Sequence, residues 1–216
     1  MWKLLFPAML PVFAMATPAA AQSSAAAVDE PFILAFGDSL TAGYGLGRGL
    51  GFAPQLQAAL RRHGIKATVH DAGVSGDTTS GGRARLAWTL DGLRRKPDLA
   101  ILELGANDML RGVDPSIAER NLDAMLTEFG KRDIPVVLAG MLAAPNLDPR
   151  YRAQFDGMYS RLARKHGATL YPFFLQGVVG NRALILPDGV HPNFEGVKRI
   201  VTGILPTVQR ALARPR

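Results

Sequence analysis

Four short polar segments of this chain hold residue types that can cooperate in covalent chemistry. They are Gly37-Asp38-Ser39-Leu40, Gly73-Val74-Ser75-Gly76-Asp77-Thr78, Gly105-Ala106-Asn107-Asp108 and Asp188-Gly189-Val190-His191-Pro192. A serine hydroxyl is a weak nucleophile until a base takes its proton. Imidazole titrates near neutrality and suits that task, and His191 offers one. Asp188 lies three residues earlier across a glycine-containing turn, so its carboxylate can reach the second ring nitrogen. There it would fix the tautomer and stabilise the imidazolium. A tetrahedral acyl intermediate also needs donors for its oxyanion. The backbone N–H groups of Ser39 and Gly76 and the side-chain amide of Asn107 could supply three. The chemistry these parts would perform is acyl transfer through a serine.

Each part has an ordinary reading as well. Ser39 could cap the following helix, Gly76-Asp77 could be a plain turn, and Asn107 could occupy a left-handed loop position. Asp188-Gly189 is a common turn pair. The histidines separate more clearly. His63 and His166 each precede a glycine at a predicted helix end, where an imidazolium suits the helix dipole. His70 falls within a predicted strand, a packing position. His191 alone lies in a loop. Asp108 is expected to be structural, its side chain pointing away from that of Asn107.

The elements between these segments would bring them together. Short, nearly continuous apolar or β-branched runs predict strands at Phe32 to Phe36, Ala67 to Asp71, Leu99 to Leu104, Pro135 to Ala139 and Thr169 to Phe173. Such runs suit strands covered on both faces. Helical spacing appears in Phe52, Leu56, Ala59 and Leu60, with Gly64 as a stop. It recurs in Leu122, Met125, Leu126 and Phe129 after Asp114-Pro115, and in Phe155, Met158, Tyr159 and Leu162 after Asp148-Pro149. Further helices are expected over Arg83 to Leu93 and from Phe194 towards Ala211, the last kinked or shortened by Pro206. Repeated strand–helix alternation implies one three-layer αβα domain with a parallel sheet. Ligands of such sheets bind outside the carboxyl ends of the strands, where the polar segments fall.

Composition sets further bounds. The chain has 216 residues, 48% hydrophobic and 20% charged, enough for one domain with a full core. Zero cysteines exclude a cysteine nucleophile and a thiolate metal site. At the start, Lys3, the apolar run Leu4 to Met15 and Ala19-Ala20-Ala21 before Gln22 form the pattern of a cleaved export signal. The run is broken by Pro7 and Pro11 and falls short of the ~20 residues that span a bilayer. The expected division is therefore a leader over residues 1–21 and a mature domain over 22–216, delivered to the periplasm or beyond. Net charge is +7, or +6 without the leader, which removes Lys3. The basic residues are scattered, with Arg94-Arg95-Lys96 the densest run and no aromatic platform among them. That distribution predicts no nucleic-acid partner; transient contact with anionic membrane surfaces is the one association the charge suggests. A monomer is expected.

Taken in order, the four segments resemble the SGNH hydrolase superfamily, also called the GDSL lipases and esterases. The resemblance runs from about Pro31 to Gly203. It is nearest to the small exported bacterial enzymes described as multifunctional acyl-CoA thioesterase, lysophospholipase and arylesterase. Thr41-Ala42-Gly43-Tyr44, Ser75 through Thr79, Leu104 through Gly112 and Tyr171-Pro172-Phe173-Phe174 carry that closer placement. The resemblance implies a flavodoxin-like sheet in the order 2-1-3-4-5, no cofactor and no metal. It implies Ser39 as nucleophile, His191 as base, Asp188 as its orienting carboxylate, and Ser39, Gly76 and Asn107 as the oxyanion hole.

An acyl pocket should be apolar and lie beside Ser39. Met109 and Leu110 follow Asn107, and Gly112 gives that loop freedom to move. Met141, Leu142, Ala143, Ala144 and Pro145 follow the fourth strand and could form the opposite wall; methionine adapts to irregular acyl shapes. The same residues could equally be ordinary packing under loops. Two other functions are weighed. Carbohydrate O-deacetylation on the same scaffold would need a short pocket with polar sugar contacts, which the Met/Leu-rich loops disfavour. A non-catalytic αβα binding module would have no reason to gather Ser39, Asn107, Asp188 and His191.

Overall fold

The computed structural model of the chain describes residues 1–2 and 30–214. The expected leader and its cleavage site fall mostly on residues 3–29, outside the described residues. The elements run, in order, β1 (Phe32–Gly37), α1 (Ser39–Ala42), α2 (Phe52–Arg62), β2 (Thr68–Gly73), α3 (Thr79–Asp91), β3 (Leu99–Glu103) and α4 (Ala106–Leu110). They continue with α5 (Pro115–Lys131), β4 (Val136–Ala139), α6 (Pro149–His166), β5 (Thr169–Tyr171), a 3-10 turn at Arg182–Leu184 and α7 (Phe194–Leu212).

The five strands form one all-parallel sheet in the order β2-β1-β3-β4-β5. Helix α2 packs on α7 over one face, and α3, α5 and α6 pack in succession over the other. β1, β3 and β4 lie inside the sheet, and Ile33 to Phe36, Leu99 to Leu102 and Val137 to Ala139 are almost wholly buried. That is why these runs read as continuously apolar rather than alternating.

The edge strand β2 differs from the expectation. It begins at Thr68 and runs on to Gly73, and Thr68, His70 and Asp71 are exposed. His70 is therefore not packed inside; it lies beside the Phe32 ring, 6.1 Å between centroids. The third helix begins four residues before the expected Arg83, because Thr78 caps it through Gly81 N–H. Pro206 does not shorten α7, which continues to Leu212. A proline inside a helix frees the carbonyl four residues back, here Thr202, and both residues are exposed, so water can satisfy it.

Two glycines at strand ends make room for the chemistry. A Cβ on Gly37 would strike Thr41 Oγ1 and the Glu103 carbonyl, and one on Gly105, at φ 122°, would strike the Tyr159 hydroxyl. That hydroxyl donates to Leu104 O at 3.0 Å, closing the floor under α4.

Candidate active site

Strands β1, β2 and β3 lie side by side, with Gly37 paired to both Gly73 and Glu103. The segments that follow them therefore start from neighbouring points on one sheet edge. After β1, Asp38 caps the four-residue helix α1 by accepting from Leu40 N–H at 2.9 Å. Ser39 is the first helical residue, not the cap, and is 8% exposed.

His191 reaches this point from 152 residues away. Its Nε2 lies 2.9 Å from Ser39 Oγ, and its Nδ1 lies 2.7 Å from Asp188 Oδ2. The tautomer with hydrogen on Nδ1 follows from that second contact. Asp188 also folds its own loop: Oδ1 accepts from Val190 N–H at 2.9 Å and His191 N–H at 3.0 Å, with Gly189 at φ 77°. These bonds, led by the one from His191 N–H, push the Asp188 carboxyl down to about 2. The loop is tied at both ends by Leu186 N–H to His191 O, 2.7 Å, and by Asn193, which caps α7 and bonds Ala183 O. Tyr44 lays its ring 4.4 Å from the His191 ring.

Of the three expected oxyanion donors, two are backbone groups. Ser39 N–H sits at the start of α1, where a helix leaves its first amides unbonded. Gly76 has φ 84°, a left-handed conformation that suits glycine, and its N–H has no acceptor among the described residues. The third is Asn107, whose Nδ2 donates to Asp38 Oδ2 at 3.1 Å and to Asp77 O at 2.9 Å. Both amide hydrogens are thus engaged, so Asn107 would serve an oxyanion by sharing or leaving one of these oxygens.

Asp77 links this asparagine to the rest of the edge. Its carboxylate takes Arg85 Nε at 2.6 Å, and Arg85 Nη2 donates to Gly37 O at 2.9 Å while the guanidinium lies over Phe36. Arg111 holds Gly76 O at 2.8 Å. Asp108 points away from Asn107, into α3, and accepts Thr79 N–H and Oγ1 at 2.7 and 2.6 Å. Burial raises its carboxyl from the ordinary value.

Two carboxylates lie behind Ser39. Asp38 and Glu103 are fully buried. Burial pushes Asp38 up to about 6. Burial, followed by the charge of Asp38, pushes Glu103 well above the usual carboxylate range. Glu103 Oε2 accepts from Thr41 Oγ1 at 2.8 Å, and its Oε1 is buried without a partner.

A cavity of about 540 Å³ opens beside Ser39 and His191, with a mostly apolar lining. Met109, Leu110, Met141, Leu142 and Pro145 all line it. The loop after Asn107 is anchored by Val113 N–H to Asp108 O and by the Tyr151 hydroxyl to Val113 O. Phe173, Leu175, Val179, Arg152 and the carboxylate Asp156 also line it and are not among the sequence-predicted site residues. Phe173 belongs to a segment that carries the family resemblance; the others gave no signal, because their place depends on how α6 and the loop after β5 pack. A second cleft, along the β2 edge between His70, Trp88 and Arg95, contains none of the predicted site residues.

Residues 35–199 match the GDSL-like lipase/acylhydrolase family. The chain is 37% identical over 180 residues to the esterase TesA of Pseudomonas aeruginosa, covering 83% of this chain and 89% of that protein. It is 34% identical over 169 residues to the thioesterase 1/protease 1/lysophospholipase L1 of Escherichia coli, 78% of each. Among solved structures, AlinE4, an SGNH-hydrolase family esterase, shares 48% identity and a TM-score of 0.73, with 86% of this chain and 98% of that one covered. With a matching sheet order and these relatives spanning most of its length, the chain belongs to the GDSL/SGNH family of ester-bond hydrolases.

Proposed function

We propose that this hydrolase cleaves carboxylic esters and thioesters through an acyl-enzyme on Ser39. The observation that carries the reading is the continuous line Ser39 Oγ, His191 Nε2, His191 Nδ1, Asp188 Oδ2, with steps of 2.9 and 2.7 Å. His191 takes the hydroxyl proton as Ser39 Oγ attacks the acyl carbon. The oxyanion that forms is met by the N–H groups of Ser39 and Gly76 and by the Asn107 amide. His191 then returns the proton to the departing alkoxide or thiolate. Water, activated by the same imidazole, releases the acid and restores Ser39.

The acyl group in this reading is a medium to long fatty chain. The apolar cavity supports it, and so do the names of the relatives, which include a lysophospholipase and an arylesterase. Export from the cytoplasm, for which the pattern over residues 1–21 speaks, favours lipid or aryl esters over cytosolic acyl-CoA. Carbohydrate deacetylation would be better served by a short, polar cavity than by this one.

Ser39→Ala tests the mechanism. Ester hydrolysis should fall by about 10⁴-fold or more while the melting temperature stays close to that of the parent. Substantial turnover by a folded Ser39→Ala protein would sink it.

A further inference from the structure

Among the described residues that line the cavity beside Ser39, one is an arginine or lysine. Arg152 sits near the start of α6, partly buried, and lines the same space as Ser39 and His191. Among the described residues its side chain makes only one hydrogen bond, a long one of 3.4 Å from Nη1 to Pro145 O, and its Nε is buried with no partner. It takes part in none of the ion pairs among the described residues, whereas Arg85, Arg95, Arg132 and Arg161 each have a carboxylate. Asp156, the carboxylate in the same wall, turns Oδ1 to Ala143 N–H at 2.7 Å, and Asp148 Oδ1 caps α6 through Arg150 and Tyr151 N–H; neither forms an ion pair with Arg152.

A guanidinium exposed to an apolar cavity, with a donor withdrawn from water, favours an anionic oxygen at that place. The fork of N–H groups suits carboxylate and phosphate oxygens, and charge-assisted bonds of this kind are the strong ones. The geometry points to Arg152 as an anion subsite of the catalytic cavity, so that preferred esters carry a carboxylate or phosphate oxygen besides the scissile bond. The inference rests on Ser39 as the nucleophile and narrows the substrate class to anionic amphiphiles. The anion can come from the far end of the acyl chain, as an ω-carboxylate, or from the leaving group, as a phosphate ester.

Two matched pairs of esters separate these sources. One pair is the aryl esters of an alkanoic acid and of the ω-carboxy acid of equal length. The other is a monoacylglycerol and the corresponding monoacylglycerol phosphate. The ratio of kcat/KM for the charged over the neutral member is measured in the parent, Arg152→Met and Arg152→Lys. In at least one pair the ratio should drop about tenfold or more in Arg152→Met, chiefly through KM, with partial recovery in Arg152→Lys. The pair that moves identifies the source of the anion. Because each ratio is taken within one protein, differences in folded fraction cancel. If neither ratio changes in Arg152→Met, Arg152 merely braces Pro145 and the inference fails. If Ser39→Ala cleaves the four esters as fast as the parent, the acyl-enzyme on Ser39, on which this inference rests, itself fails.

Discussion

Asp38 and Glu103 place two acidic side chains directly behind Ser39, in space with no water-exposed surface. Asp38 orients Asn107, and Glu103 holds Thr41. Both carboxyls bind protons more tightly folded than unfolded. Their favourable contribution is thus present below the ordinary carboxylate range and is lost as pH rises, through about 6 for Asp38 and through the raised value of Glu103. Glu103→Gln removes one buried charge and keeps an acceptor for Thr41. Its melting temperature should exceed the parent's at pH 8 and approach it as pH falls towards the ordinary carboxylate range; a lower value at pH 8 would show that the carboxylate is stabilising. Glu103 is hard to find in the sequence, since it ends an otherwise apolar strand and its partners are 62 and 65 residues away. His191 is easier: it is the histidine in neither a helix end nor a strand.

Between the strand ends, rigidity comes from cross-bracing. Arg85 on α3 holds the Asp77 carboxylate, whose main chain follows Gly76 and bonds Asn107, and it also holds the last carbonyl of β1. One side chain thereby ties together the supports of all three expected oxyanion donors. Arg85→Met should lower kcat by about tenfold or more with KM much less affected, because misplaced donors cost most in the transition state. Arg85→Lys should recover only part, lacking the fork that serves both oxygens. A change confined to thermal stability would make Arg85 purely structural. The five strands and the longer helices are legible because apolar runs and caps such as Asp114-Pro115 and Asp148-Pro149 are local signals. The four- and five-residue helices α1 and α4 are not, having too few turns to show a period. That Pro206 does not shorten α7 is hidden for a related reason: whether a proline ends a helix depends on the solvent exposure of the preceding turn, which only the packed α7 reveals.

Across the protein, several exposed apolar side chains gather at one place. Leu110, Leu142, Val179 and Val190 are exposed and border the cavity mouth, with Tyr44 against His191. An apolar rim of this kind suits substrates presented by a lipid phase. With kcat/KM compared across acetyl to long-chain esters, the optimum should lie at medium or long chains; a peak at acetyl would overturn the fatty-acyl assignment. No helix among the described residues is long and apolar enough to cross a membrane. The fold follows from sequence patterning because a parallel sheet writes its strands as apolar runs. The cavity wall follows only in part, because Arg152 and Val179 reach it through tertiary packing. The central claim, that Ser39 carries the acyl group, is tested most directly by trapping. The enzyme is reacted with a fluorophosphonate and the modified peptide is identified by mass spectrometry, alongside residual esterase activity. One adduct per chain on Ser39, formed in step with loss of activity, is the expected result. Full activity with Ser39 modified, or complete inactivation with Ser39 unmodified, would contradict it.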